Sequence, residues 1–236
     1  MNWESRTELL LGKEKIDILH NSHVLIAGLG GVGAVAAEML ARAGVGKLTI
    51  ADNDTIQASN KNRQIIALSS TEGMHKTEVM ASRLLDINPE LGLTLFKSYL
   101  IREAIPEVLD TPYDYVIDAI DTMSPKLYFI LNCIEKKYKL VSSMGAGGKL
   151  NPEEVKIADI SKSYQCRLAH YIRKHLHKKG IYTGFKVVYS PEPVSKQAIQ
   201  MTDGDKNKKS IPGTVSYMPF IFGCYAASVV IRDLTK

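Results

Sequence analysis

Directly after the apolar run VLIA, Gly28, Gly30 and Gly33 form a Gly-x-Gly-x-x-Gly turn that leads into a helix-compatible segment. Such a turn offers backbone N–H groups and the positive end of a helix dipole to a phosphate, which implies a nucleotide site. The fingerprint alone does not choose the nucleotide, because Asp52, ending the next apolar run KLTIAD, would suit the ribose of NAD. The following polar segment is more specific: it supplies Asn60, Lys61, Asn62, Arg63 and Gln64, groups able to reach phosphate that a dinucleotide site does not need. An arginine fixed near the outer phosphates would stabilise charge collecting on a pyrophosphate leaving group. Lys76 has a stem long enough to bring its ammonium to the same place, although taken alone it reads as a solvated surface lysine. Asp118 and Asp121 end the run YVIDAID, where a carboxylate could hold an Mg²⁺ that bridges phosphates. Asp121 is the expected ligand, with Asp118 as its alternative or as a structural partner of the turn.

These residues need a framework that brings separate turns to one edge. Strands are predicted at 23–28, 47–52, 93–97, 114–120 and 139–143, and helices at 32–43, 72–87 and 124–138. Ser124 is the expected cap of the last helix, with Pro125 at its first position. Strand and helix alternate through residue 143, which predicts an α/β fold: a Rossmann-like, doubly wound, mostly parallel sheet binding its ligand at the strands' carboxyl ends. Past the cluster GAGG at 145–148 the pattern changes to a strand at 154–160, a helix at 165–178 and a strand at 184–190. The expected organisation is therefore a core over 1–150, opened by a helical segment, and an extension of the same domain over 151–236, of mixed strands and helices. Within that extension, the polar stretch 191–214, with its charged run DGDKNKK, is expected to be mobile.

Composition narrows the class. With 236 residues, 45% hydrophobic and 23% charged, the chain can bury a sizeable core. Cys133, Cys166 and Cys224 are too far apart for a disulfide framework or a paired-cysteine zinc site, so a reducing, cytoplasmic setting is expected. Cys133 and Cys224 read as buried, and Cys166 is left open. The uncharged run 215–231 is short of the roughly 20 residues of a membrane span and contains Pro219 and Gly223. A core or dimer-interface helix is the preferred reading, with membrane association as the alternative. Charge is lopsided: residues 151–236 hold 14 Lys and Arg against 7 acids, and no acid occurs between Asp159 and Glu192. That basic stretch, including Arg167, Arg173, Lys174, Lys178 and Lys179, could bind a polyanion or simply be a solvated face.

GLGGVG, the acidic strand end at Asp52, SNKNRQ at 59–64, Lys76 and DAID before a helix together resemble, in order, the ThiF/MoeB/HesA adenylating superfamily, relatives of the ubiquitin and sulfur-carrier activators. Within it the chain is similar, nearly end to end, to the tRNA threonylcarbamoyladenosine dehydratases. RTELLLG at 6–12, GAGG at 145–148 and QCRLAHYIRKHL at 165–176 correspond in place.

The resemblance implies that Gly28, Gly30 and Gly31 line ATP, that Asp52 holds its ribose, that Asn60, Arg63, Gln64 and Lys76 surround the phosphates, and that Asp121 lies near Mg²⁺. It also implies that Arg6 reaches the neighbouring subunit's site in a homodimer, that zinc and a thioester cysteine are not required, and that tRNA is the partner. A monovalent cation near GAGG and a sulfur-relay protein partner stay open. So do two other functions: adenylation of the terminal glycine of a small sulfur-carrier protein, and a redox or regulatory module that binds a dinucleotide.

Overall fold

The computed structural model describes residues 3–201 and 210–236. Strands β1 (His23–Ala27), β2 (Lys47–Ala51), β3 (Gly92–Phe96), β4 (Tyr115–Asp118), β5 (Leu140–Ser143), β6 (Lys156–Asp159) and β7 (Lys186–Tyr189) form one sheet in the order β3-β2-β1-β4-β5-β7-β6. Every neighbouring pair is parallel except β6 and β7, which run antiparallel with Lys156 opposite Tyr189. The strand order reverses between β1 and β4, and that switch point opens a crevice at their carboxyl ends. Two short strands, β8 (Ile199–Met201) and β9 (Ser210–Pro212), pair as a separate ribbon.

The helices are α1 (Ser5–Leu11), α2 (Lys13–Asn21), α3 (Gly33–Arg42), α4 (Lys76–Ile87), α5 (Ile105–Val108), α6 (Met123–Glu135), α7 (Arg167–His177) and α8 (Tyr217–Leu234). The central strands are buried along their length because helices cover both faces, which is why they read as unbroken apolar runs. One face packs Leu40 of α3, Met80 of α4, and Phe222 and Val230 of α8, and the other packs Val108 of α5, Phe129 and Ile130 of α6 and Ile172 of α7. In α8 a Cβ at Gly223 would lie 2.5 Å from the Val32 carbonyl oxygen, so only glycine allows this approach to α3. The apolar run at 215–231 is thus half of a core layer, and among the described residues no helix is long and apolar enough to cross a membrane.

Several local expectations are corrected. Helix α6 begins at Met123 with Thr122 at the cap position and no side-chain cap bond, so Ser124 lies inside the first turn. Helix α4 begins only at Lys76, because Gly73 has a positive φ of 83° and residues 72–74 form a turn. Cys224 is exposed rather than buried, since α8 turns it away from α3, while Cys166 is buried with Cys133. The stretch 191–214 includes the β8–β9 strands and a turn at 196–198, and the acidic and lysine residues at 203–209 lie outside the described residues.

Candidate functional site

The glycine turn closes the crevice by packing rather than by flexibility alone. Gly28 has φ of 92°, and a Cβ there would lie 2.9 Å from the Ala119 carbonyl oxygen at the end of β4. A Cβ on Gly33 would overlap the Gly28 carbonyl oxygen, so the start of α3 sits directly on β1. Gly31 approaches the Arg63 carbonyl oxygen, 2.6 Å from its notional Cβ, and Pro219 of α8. Gly30 alone faces open space: the nearest atom to its notional Cβ is Gln64 Nε2, at 3.9 Å.

Asp52, just past β2, is fastened to this turn. Its Oδ2 accepts the Leu29 N–H at 2.6 Å and its Oδ1 accepts the Asp54 N–H at 2.8 Å. Burial raises its carboxyl above the usual range, against the opposing pull of Lys76 and those two N–H groups. Lys76, the first residue of α4, is 5% exposed, so it is no surface lysine. Its ammonium lies 2.7 Å from Asp54 Oδ2 and 3.9 Å from Asp52 Oδ1.

The segment between β2 and α4 brings some of its polar groups to the crevice and turns others away. Arg63 is half-buried, its guanidinium donating to the Ser59 carbonyl and to Asn62 Oδ1, both at 2.9 Å. Asn60 Oδ1 accepts the Gln57 N–H at 3.0 Å. Lys61 pairs with Glu72 at 2.8 Å, and the Asn62 amide donates to the Thr214 carbonyl at 2.9 Å, which ties this segment to the chain after β9. Gln64 is 7% exposed beside Gly30, and its Oε1 has no hydrogen-bond partner among the described residues. A buried acceptor left unsatisfied beside an open glycine face fits a ligand that carries donors and phosphates.

At the end of β4 the two aspartates separate. Asp121 is exposed at the crevice, whereas Asp118 is wholly buried, 2.7 Å from an equally buried Lys126. Sequence reasoning missed Lys126, since a lysine in a mixed helix reads as surface. It also missed Lys149 after β5, which is 3% exposed and donates to the Glu192 carbonyl. Burial pulls the Lys149 ammonium below its usual range, partly offset by Cys166 and Glu192. A Cβ at Gly147 would lie 2.6 Å from Pro212 and 3.3 Å from Thr214 Oγ1, so the GAGG loop is covered by the end of β9 and the residues just after it.

The remaining expected residues lie apart from the crevice. Glu4, at the head of α1, bonds His20 at 2.9 Å beside Gly44, at the amino edge of the sheet. Exposed Arg6 is therefore on the far side from its own chain's glycine turn. On α7, Ala169, Ile172 and Leu176 face the core while Arg167, His170, Lys174 and Lys178 line the exposed side. Arg173 departs from this stripe: it is half-buried and donates to Ser163 Oγ. Lys179 stands beside Asn132 and Glu135 at the far end of α6, so the stripe runs from the crevice edge towards the opposite edge. Among the described residues no cluster of three or more His, Cys, Asp or Glu side chains could hold a metal by itself. One acidic ligand that shares a cation with phosphates would suffice for Mg²⁺.

The ThiF family profile matches residues 5–236. The chain is 38% identical over 239 residues to the tRNA threonylcarbamoyladenosine dehydratase of Bacillus subtilis, covering 98% of this chain and 94% of that protein. It also matches the sulfur carrier protein ThiS adenylyltransferase of Escherichia coli, 37% identical over 134 residues, but there the match covers only 56% of this chain and 53% of that protein. Among solved structures, the E. coli tRNA N6-threonylcarbamoyladenosine dehydratase in complex with ATP superposes with a TM-score of 0.88 at 32% identity, covering 98% of this chain and 92% of that one.

Proposed function

The chain belongs to the ThiF family, and we propose that it is an ATP-dependent adenylating enzyme that dehydrates threonylcarbamoyladenosine in tRNA. The observation that carries this reading is a match to the dehydratase of Bacillus subtilis over 98% of the chain, against 56% for the sulfur-carrier activator.

ATP supplies an electrophilic α-phosphorus and a leaving pyrophosphate. The carboxylate of the modified adenosine attacks that phosphorus, which activates the carbonyl as a mixed anhydride with AMP. The carbamoyl group of the same side chain then attacks the carbonyl and expels AMP, closing a ring with net loss of water. No enzyme nucleophile is needed, in keeping with two of the three cysteines being buried. The protein's work is positioning and charge stabilisation. Gly30 leaves room for the phosphates, Asp52 accepts from the ribose, Gln64 and Asn60 offer hydrogen bonds, and Arg63 from its loop and Lys76 from the start of α4 turn to the pyrophosphate. Asp121 is the proposed Mg²⁺ ligand. The exposed stripe of α7 is the proposed tRNA-backbone surface, and Arg6 the contribution of a second subunit in a homodimer. Free cysteines suit a cytoplasmic location. No described residue argues for a sulfur-relay partner or a monovalent cation.

The test is AMP and pyrophosphate release from ATP and Mg²⁺ with modified tRNA, unmodified tRNA or none. Release that requires modified tRNA and disappears in Arg63→Ala is expected. Release driven instead by a Gly-Gly-tailed carrier protein would replace this reading with the sulfur-carrier one.

A further inference from the structure

Asp118, Lys126 and Ser142 are wholly buried beneath the crevice, and neither adenylation nor ring closure uses any of them. The bonds of Asp118 and Lys126 converge on a single residue, Ile120. Asp118 Oδ1 accepts the Ile120 N–H at 3.1 Å, and Lys126 Nζ donates to the Ile120 carbonyl at 3.0 Å. The two side chains pair with each other at 2.7 Å through Asp118 Oδ2, which also accepts from Ser142 Oγ of β5 at 2.6 Å. Both polar groups of Ile120 are thus held, one by each member of an ion pair that is itself anchored to the neighbouring strand.

A buried pair of this kind is a poor device for stability, because desolvation offsets most of the attraction and apolar residues of the same volume would pack at no such cost. Its use is better sought in what it fixes. Ile120 joins the two residues that meet the ligand site: Ala119, whose carbonyl oxygen lies against Gly28, and Asp121 at the mouth of the crevice.

We propose that Asp118 and Lys126 form a positioning clamp that sets the backbone of Asp121 for Mg²⁺ and holds the end of β4 against the glycine turn. Neither residue touches substrate; both act through Ile120. The inference rests on the assignment of Asp121 to the metal.

The experiment is calorimetric titration of the full-length protein with ATP, once with Mg²⁺ and once with EDTA, on the wild type and on Asp118→Asn combined with Lys126→Met, which removes both charges together. The expected result is a loss of about tenfold or more in the Mg²⁺-dependent gain in ATP affinity, the size of effect seen when groups supporting a metal ligand are removed, with metal-free ATP binding little changed. Ser142→Ala, which deletes only one hydroxyl donor, should give a smaller loss in the same direction and serves if the double variant does not fold. A folded variant with the wild-type Mg²⁺ gain would overturn the clamp, as would equal weakening with and without metal, the mark of a merely structural role. Asp121→Asn, titrated alongside, separates the two failures: if it keeps the full Mg²⁺ gain, the assignment of Asp121 is wrong, and the clamp loses its object.

Discussion

The Lys76 ammonium sits 2.7 Å from Asp54 and 3.9 Å from Asp52, so two carboxylates hold it at the end of β2. The Asp54 side chain is 58% exposed, whereas that of Lys76 is 6% exposed. A pair with one exposed member is weak and easily exchanged for a phosphate. Asp54→Asn is therefore expected to change the KM for ATP by no more than about threefold. Lys76→Met is expected to lower kcat by on the order of a hundredfold, the usual loss for one removed electrostatic donor. Steady-state pyrophosphate release measures both. A Lys76→Met enzyme within a few-fold of wild type would remove Lys76 from the phosphate site.

Gly30 and Gly31 are adjacent, yet they meet different surroundings. A Cβ at Gly31 would stand 2.6 Å from the Arg63 carbonyl oxygen and 2.8 Å from Pro219 Cβ, so backbone or α8 must move. Gly31→Ala should cost about 1–3 kcal/mol of stability, as overpacking does, and reduce activity as well. Gly30→Ala meets nothing closer than 3.9 Å and should leave the melting temperature almost unchanged while placing a methyl where the phosphates approach. Thermal melts paired with ATP titrations separate the two. Normal ATP affinity in Gly30→Ala would mean that Gly30 does not line the ligand.

The α/β alternation through β5 was legible because parallel strands buried on both faces leave unbroken apolar runs, and the glycine turn marks the switch point directly. The expected positions of Arg63, Lys76 and Asp121 were legible because they follow β2 and β4, whose carboxyl ends the fold brings to one edge, while their proposed roles toward a ligand rest on the reading of the site. What was hidden depends on tertiary neighbours. Lys126 and Lys149 look like surface lysines until the partners that bury them, Asp118 and Glu192, are in place. Cys224 sits in an uncharged run yet faces outward, because only one side of α8 packs on α3. Arg173 shares a helix with Arg167 and Lys174, but its position on the turn directs it to Ser163. Periodicity gives the faces of a helix without saying which polar partner lies beneath an intermediate position.

That distinction on α7 can be tested. Charge reversal of Arg167, Lys174 and Lys178, on the exposed stripe, should weaken tRNA binding at low salt. It should also flatten the dependence on salt, the logarithmic slope falling by about one for each phosphate that is no longer neutralised. Arg173→Ala should instead lower stability and leave the slope as it was. Filter binding across a salt series reads both, and an unchanged slope in the triple variant would dismiss α7 as the tRNA surface.

Asp233, near the end of α8, gives the fold a pH dependence remote from the crevice. Burial would raise its carboxyl, but hydrogen bonds from Lys186, Lys236 and Tyr115 outweigh that and bring it to about 2. A carboxyl depressed in the folded state contributes stability that is fully present above its unfolded value of about 3.9 and is lost as pH falls through about 2. Asp233→Asn should thus cost about 1–2 kcal/mol near neutral pH, and the gap from wild type should shrink as the pH is lowered from about 4. Urea unfolding at several pH values measures it. A gap that stays constant with pH would show that the loss comes from packing of α8 rather than from the charge.

Arg6 lies across the sheet from its own chain's glycine turn, on a helix whose Leu9 and Leu10 are 85% and 83% exposed. Two neighbouring leucines so open to solvent suit an isologous interface, and such an interface could carry Arg6 to the partner's nucleotide. Arg6→Ala and Arg63→Ala are each expected to be inactive alone. Co-expressed, they form a heterodimer in which the Arg6→Ala chain keeps its own Arg63 and receives an intact Arg6 from its partner, while the other site lacks both. Random pairing makes half the dimers mixed, each with one complete site, so activity should return to about a quarter of wild type. If Arg6 served its own chain, neither site of the mixed dimer would hold both arginines and no activity would return. Recovery of AMP release in the co-expressed preparation therefore decides whether the site is completed by a second subunit.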